Sequence, residues 1–452
     1  MCISFLSRLL PVSAVLVVLA LPLSCSAKVI GMNVIAQPVT RERVEKLSKK
    51  ERRAWLDYLA RSEKQKTLDK QALSNEQRAA GNTNPSHAPT GRGAYALRID
   101  HPTEWYASDA ALQIARNIVS YQVPDGGWSK NIDMTSGPRA PGGLYDADNL
   151  NRFPDSADFD KPVDPNWHYI ATLDNDSTWM QTHFLARVTT ALLAAHRDAD
   201  AAPFRASVER GVEYLLDAQY PNGGWPQVWP LEGGYHDAIT VNDDAMLHAI
   251  DILYSVAIGS AEFAFLPPAL LHRAGLAAQR GIECLLKLQI AENGVKTGWA
   301  QQYDALTLEP TSARNYEMAA LCSDESFPIV EFLMRLPDPS PEEVAAVHAA
   351  TAWLTKIEIN GYRYGSGDFR ADRNSPEGRR LVAAAGAGPI WARYYQIGTD
   401  QPIFGDRDKT IHDDVNELSR ERRNGYAWFN TGGVAALAEY KTWAAAHPAQ
   451  TH

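Results

Sequence analysis

Cysteine is scarce. Four occur in 452 residues, and two of them, Cys2 and Cys25, fall in an apolar leader, so no disulfide framework holds this fold. The other two, Cys284 and Cys322, sit in apolar helical stretches and read as buried thiols. Positive charge is also short: 44 Lys plus Arg against 54 Asp plus Glu give a net charge of −10, which argues against a broad nucleic-acid surface. Long apolar runs are missing except at residues 9–23, which follow Arg8 and end at Ser24-Cys25-Ser26-Ala27. That run is short for a bilayer span and has no charged far flank, so it reads as a secretory signal cleaved near Ala27. Pro22-Leu23-Ser24 is a poor lipobox, which disfavours a lipid anchor on Cys25. Cleavage removes only Arg8, so the mature charge is −10 − 1 = −11. The expected product is secreted or periplasmic, monomeric and without a membrane span. An apolar fraction of 45% and a charged fraction of 22% exclude disorder, collagen and a multispan protein. Also absent are EF-hand spacing, a His pair at zinc spacing, and any period-2 run long enough for a major sheet.

What is present repeats. Residues 40–80 are rich in charge, Ala and Leu, with Trp55, Leu56 and Leu59 at helical spacing, and residues 81–93 read as a loop. Residues 28–94 therefore form a helical and linker segment ahead of a main unit at 95–448. In that unit, Gln122 leads into Gly126-Gly127-Trp128 and Gln219 into Gly223-Gly224-Trp225, while Gln289 leads through a longer loop to Gly298-Trp299. The three Gln are 97 and 70 residues apart (219 − 122, 289 − 219), room for two helices per unit. Acidic clusters interleave: Asp174-Asn175-Asp176 before a helix at 179–196, Asn242-Asp243-Asp244 before 245–257, and Ser323-Asp324-Glu325 before 327–336. Further helices are expected at 341–356 and 433–446. The pattern predicts an all-α chain, helical hairpins forming an incomplete α/α toroid, with long irregular loops shaping a cleft.

Asp, Asn and Ser are ordinary helix caps, and capping alone accounts for any single cluster. Three clusters at matched positions carry more acid than caps use, and carboxylates with an amide oxygen suit Ca²⁺. The Gly-Gly-Trp turns are equally two-sided. Trp225 reads as packing between helices, whereas Trp128 is followed by Lys130-Asn131, an ammonium and an amide beside an aromatic face that would suit a sugar acid. Arg314 and Arg407, flanked by turn residues and aromatics, read as functional. Arg422 and Arg423 read as surface ion-pair residues.

Six segments in order resemble family 10 polysaccharide lyases, which are pectate lyases: 126–131, Leu173-Asp174-Asn175, Asn242-Asp243-Asp244-Ala245-Met246, Ala313-Arg314-Asn315-Tyr316-Glu317, 402–408 and Arg422-Arg423-Asn424-Gly425-Tyr426. The resemblance implies calcium-dependent anti β-elimination on polygalacturonate or pectin, giving 4,5-unsaturated oligogalacturonides. It implies Arg314 as the catalytic base, Asp174, Asn175 and Asp243 as calcium ligands, and Lys130, Asn131, Arg393, Arg407 and Tyr316 as substrate-binding positions. The chain departs from the family pattern at Asp176 and Asn315. An Arg acting as base needs neighbouring positive charge to weaken its hold on the proton. Two other readings fit the residues: an inverting glycoside hydrolase with Asp174 and Asp243 as its acids, and a non-catalytic glycan-binding protein using the Trp turns.

Overall fold

The computed structural model describes residues 28–91, 97–147 and 157–449; the signal read at 1–27 lies outside them. The chain is mostly helical. A 32-residue helix, α1 (Lys49–Ala80), starts at a Ser48 cap and stops at Gly81, whose φ of 64° only glycine adopts cheaply. Then come α2 (Asp109–Ser120), the hairpin α3 (Trp179–Ala194) with α4 (Asp198–Ala218), the hairpin α5 (Ala245–Ala257) with α6 (Pro268–Leu288), the hairpin α7 (Ser323–Met334) with α8 (Pro341–Lys356), and α9 (Gly433–Ala446). Each hairpin packs on its neighbour in the chain, and α9 packs on α7 and α8. Helices α3 and α5 bury most of their side chains, so their apolar runs lack a clean amphipathic period. Among the described residues no helix is long and apolar enough to cross a membrane.

The Gln and Trp repeats are structural staples. Gln122, Gln219 and Gln289 each donate through Nε2 to two carbonyls, one in the adjacent turn and one on a helix of the next unit: Gly126 and Ser207, Gly223 and Ala277, Thr297 and Ala346. The Trp128, Trp225 and Trp299 indoles are fully buried, and each donates at 2.8 Å to a carbonyl of the preceding helix. The first Gly of each short turn is obligatory. At Gly126 (φ 106°) and Gly223 (φ 100°) an added Cβ would lie 2.2 Å from the Arg210 or Arg280 carbonyl oxygen. Trp391, donating to Leu354 at 2.8 Å, is a fourth copy that the sequence hides, because no Gly-Gly precedes it.

Burial of Trp128 overturns its reading as a sugar platform. Trp128→Phe is expected to cost about 1–3 kcal/mol of stability through the lost hydrogen bond. Substrate affinity should stay at the parent value, as a melting curve and a binding titration would show.

The all-α expectation needs one amendment. Six short strands form an antiparallel sheet in the order Val29–Met32, Thr410–His412, Pro402–Gly405, Tyr394–Tyr395, Leu321–Cys322, Trp299–Ala300. None exceeds four residues, too short for a period-2 signal. The first strand comes from the N-terminal segment, and α1 sets Trp55 and Tyr58 against Tyr220 in the core of the main unit. Cys284 and Cys322 are free and buried.

Candidate active site

The acidic turns before α3 and α5 are built alike. Each is one tight 3-10 turn in which two consecutive residues take left-handed backbone: Asn175 (φ 52°) with Asp176 (59°), and Asp243 (50°) with Asp244 (58°). Asn and Asp tolerate that region, where a branched side chain would be strained. The matching conformations pair Asn175 with Asp243 and Asp176 with Asp244. No side chain of either turn caps the helix that follows, so capping does not explain these acids. The third cluster differs: α7 begins at Ser323 itself, and Asp324 and Glu325 lie in its first turn.

The two turns meet at a cavity of about 150 Å³ whose wall includes Asp174, Asn175 and Asp243, with Lys130, Arg314 and Gln302 among the facing residues. Asp174 is buried and pairs with Lys130, whose ammonium lies 3.3 Å from the centre of the Tyr169 ring. Burial pushes the Asp174 carboxyl up, but Lys130 outweighs it and holds the acid below its usual range. Asp243 reaches the cleft and accepts from Asn242 at 2.8 Å. Burial and then the Asp174 charge push it up to about 7. Asp243 therefore titrates near neutral pH, beside an Asp174 that Lys130 keeps ionised.

Opposite them stands Arg314. Its Nε donates to Glu317 Oε2 at 2.8 Å and its Nη2 to Glu317 Oε1 at 2.5 Å, while Nη1 makes no hydrogen bond among the described residues. Tyr426 donates to the same carboxylate at 2.7 Å. Burial pushes Glu317 up, yet Arg314 overrides it and brings the acid down to about 2. Glu317 in turn outweighs the burial of Arg314 and raises the guanidinium's hold on its proton. The dominant neighbour of Arg314 is thus an anion, opposite in sign to the sequence expectation.

The sequence profile of pectic acid lyases matches residues 122–437. The chain belongs to that family. Two solved structures of a family 10 polysaccharide lyase from Cellvibrio cellulosa resemble it. One, at 30% identity and a TM-score of 0.61, covers 76% of this chain and 98% of that one. The other, an aspartate-to-alanine mutant in complex with trigalacturonic acid, has 29% identity and a TM-score of 0.61, and covers 75% and 95%. A search of curated proteins finds no match. Membership makes this chain a polysaccharide lyase, an enzyme that degrades polysaccharide.

In this pectic acid lyase the expected residues separate into two groups. Lys130, Asp174, Asn175, Asp243 and Arg314 share the cavity wall. Asn131, itself left-handed at φ 60°, accepts from Asn175 at 3.2 Å and supports that turn. Arg393 is buried directly behind the cavity wall, bonded to Asp324, to Glu325 at 2.8 Å and to the wall residue Asn242 at 3.1 Å, so it ties the second acidic cluster to the third. Arg407 pairs with Glu421 at 3.2 Å. Tyr316 is buried beneath the guanidinium groups of Arg422, Arg314 and Arg407, at 4.1, 5.1 and 5.2 Å, and acts as their support. Arg422 and Arg423 are buried too, against the surface reading; Arg423 donates to four backbone carbonyls. Asn315 bridges the Phe159 amide and the Arg407 carbonyl, which gives that departure a structural role. Asp176 lies outside the cavity wall, 3.7 Å from His248.

Sequence reasoning assigned no role to Glu317, Tyr426, Tyr169, Tyr235 or Gln302. The first two stood inside quoted motifs. An acid three residues after a candidate base is a signal for an orienting partner.

Proposed function

We propose that the chain is an exported pectate lyase that cleaves polygalacturonate by calcium-dependent anti β-elimination on an incomplete α/α toroid. The observation that carries this is the close Asp174–Asp243 pair set across one small polar cavity from the Arg314–Glu317 pair. The donor set fits Ca²⁺. Asp174 and Asp243 supply carboxylate oxygens and Asn175 an amide, and the amide oxygens of Gln227 and Gln302, both on the cavity wall, are buried without a partner. Bound there, Ca²⁺ would neutralise the galacturonate carboxylate and so make the C5 proton more acidic.

The chain's own residues do the rest. Lys130 adds positive charge beside the carboxylate site. Glu317 fixes the guanidinium plane through Nε and Nη2, which leaves Nη1 to take the C5 proton. Water protonates the leaving O4, so no acid partner is required. Export is supported by the leader read at 1–27.

The alternatives lose ground on geometry. An inverting hydrolase needs its two carboxyls about 6.5–9.5 Å apart, with room for water between them, whereas Asp174 and Asp243 lie close enough on one wall of a small cavity for each to shift the other's hold on its proton. A lectin built on the Trp turns has no platform, because those rings are buried.

Ester sensitivity tests the reading. Fully methyl-esterified pectin offers no carboxylate to the metal or to Lys130, so it should be turned over at a small fraction of the polygalacturonate rate. Equal rates on the two polymers would contradict the assignment.

A further inference from the structure

We propose that Asp160, His168 and His236 form a second metal site, which takes one borderline divalent cation of the Zn²⁺ class and pins the wall of the cleft. The three residues come from two loops of successive units, and their donor atoms all lie within 4.8 Å of one another. Asp160 Oδ1 is 3.9 Å from His168 Nε2 and 3.8 Å from His236 Nε2. Those separations are too long for hydrogen bonds. One ion reaches all three donors at about 2.0–2.2 Å after a small inward shift.

Both Nε2 atoms are buried and have no partner. A buried imidazole nitrogen aimed at a carboxylate it does not reach is costly without an ion between them. The opposite side of both rings faces Glu232. His168 Nδ1 bonds Glu232 Oε1, and His236 Nδ1 lies 3.3 Å from Glu232 Oε2. A carboxylate behind the His168 ring favours its proton on Nδ1 and turns the Nε2 lone pair toward Asp160, the arrangement that orients metal-ligating histidines.

Two imidazoles and one carboxylate suit Zn²⁺ or its neighbours and not Ca²⁺, which takes 6–8 oxygens. This site is therefore separate from the oxygen-rich cavity and does not rest on the calcium reading. The connection between them is physical. Asp160 Oδ1 also accepts from Tyr169 at 3.1 Å and from Tyr235 at 2.8 Å, and both tyrosines line the cavity, where Tyr169 carries Lys130 on its ring. An ion here would lock both loops and fix the position of Lys130. The histidines are 236 − 168 = 68 residues apart. Short-range zinc spacing therefore misses them.

The test is metal retention by the full mature chain, first dialysed against a strong chelator, then loaded with ZnCl₂ or CoCl₂ and desalted. We expect one equivalent of either metal to be retained in the presence of excess Ca²⁺, with visible d–d bands for Co²⁺. Zn²⁺ should raise the melting temperature. His168→Ala and His236→Ala should abolish retention, and Glu232→Gln should weaken it about 10- to 100-fold. Asp160→Asn keeps the side-chain shape, so it stays informative where a histidine variant fails to fold; circular dichroism confirms folding. The proposal is overturned if the folded parent retains no more Zn²⁺ or Co²⁺ than Asp160→Asn, or gives no cobalt bands.

Discussion

Arg314→Lys is expected to leave polygalacturonate binding near the parent value and to lose about 10²- to 10⁴-fold in turnover, the usual worth of a positioned general base. Arg314→Ala should do the same. Lysine keeps the charge, so a residue that only clamps a carboxylate would survive the exchange with substantial activity. A lysine, however, is shorter and cannot make the two-pronged bond that Glu317 uses to aim the guanidinium. The pH profile adds a second reading. Because Glu317 strengthens the guanidinium's hold on its proton, the rate should climb well above neutral pH. Glu317→Gln removes that hold, so the climb should begin at lower pH even if the maximum rate falls. A Lys variant with near-parent turnover, or a parent optimum on the acid side, contradicts the role.

The second large effect is on calcium. A chelator should abolish turnover and added Ca²⁺ should restore it, while Asp243→Ala should need far more metal. The proton on Asp243 fixes the pH dependence. Asp243 is raised to about 7, so below that pH it is protonated and the cation must expel the proton to bind. Apparent calcium affinity should therefore fall by up to about tenfold per unit as pH drops below 7, and level off above it. Asp243→Asn has no proton to expel and should bind weakly with a flat profile. Calorimetric titration at several pH values checks this. A parent affinity independent of pH between 5 and 8 would contradict a proton on Asp243 that calcium must displace.

Much of this was legible in the sequence where chemistry follows from a local pattern. The expected helices at 245–257, 341–356 and 433–446 appear as Ala245–Ala257, Pro341–Lys356 and Gly433–Ala446. The Gln and Gly-Gly-Trp repeats marked turns that recur because the same buried amide and indole bonds close each unit. Illegible were features set by distant partners. The spacing of Asp174 and Asp243 does not reveal which residue of each turn is left-handed. Nothing around Arg393 shows that Asp324, Glu325 and Asn242 would enclose it, since those groups lie 68 to 151 residues away. The sheet escaped notice because strands of two to four residues have no period to read. The imidazole pair escaped because its members come from separate loops.

The most direct measurement is the ultraviolet absorbance of polygalacturonate incubated with the mature protein, followed alongside reducing ends, with Ca²⁺ and then with chelator. Elimination leaves an unsaturated, absorbing end on each new chain, so absorbance should rise in step with reducing ends and stop when the metal is removed. Reducing ends that accumulate without absorbance would mean hydrolysis and would contradict the account.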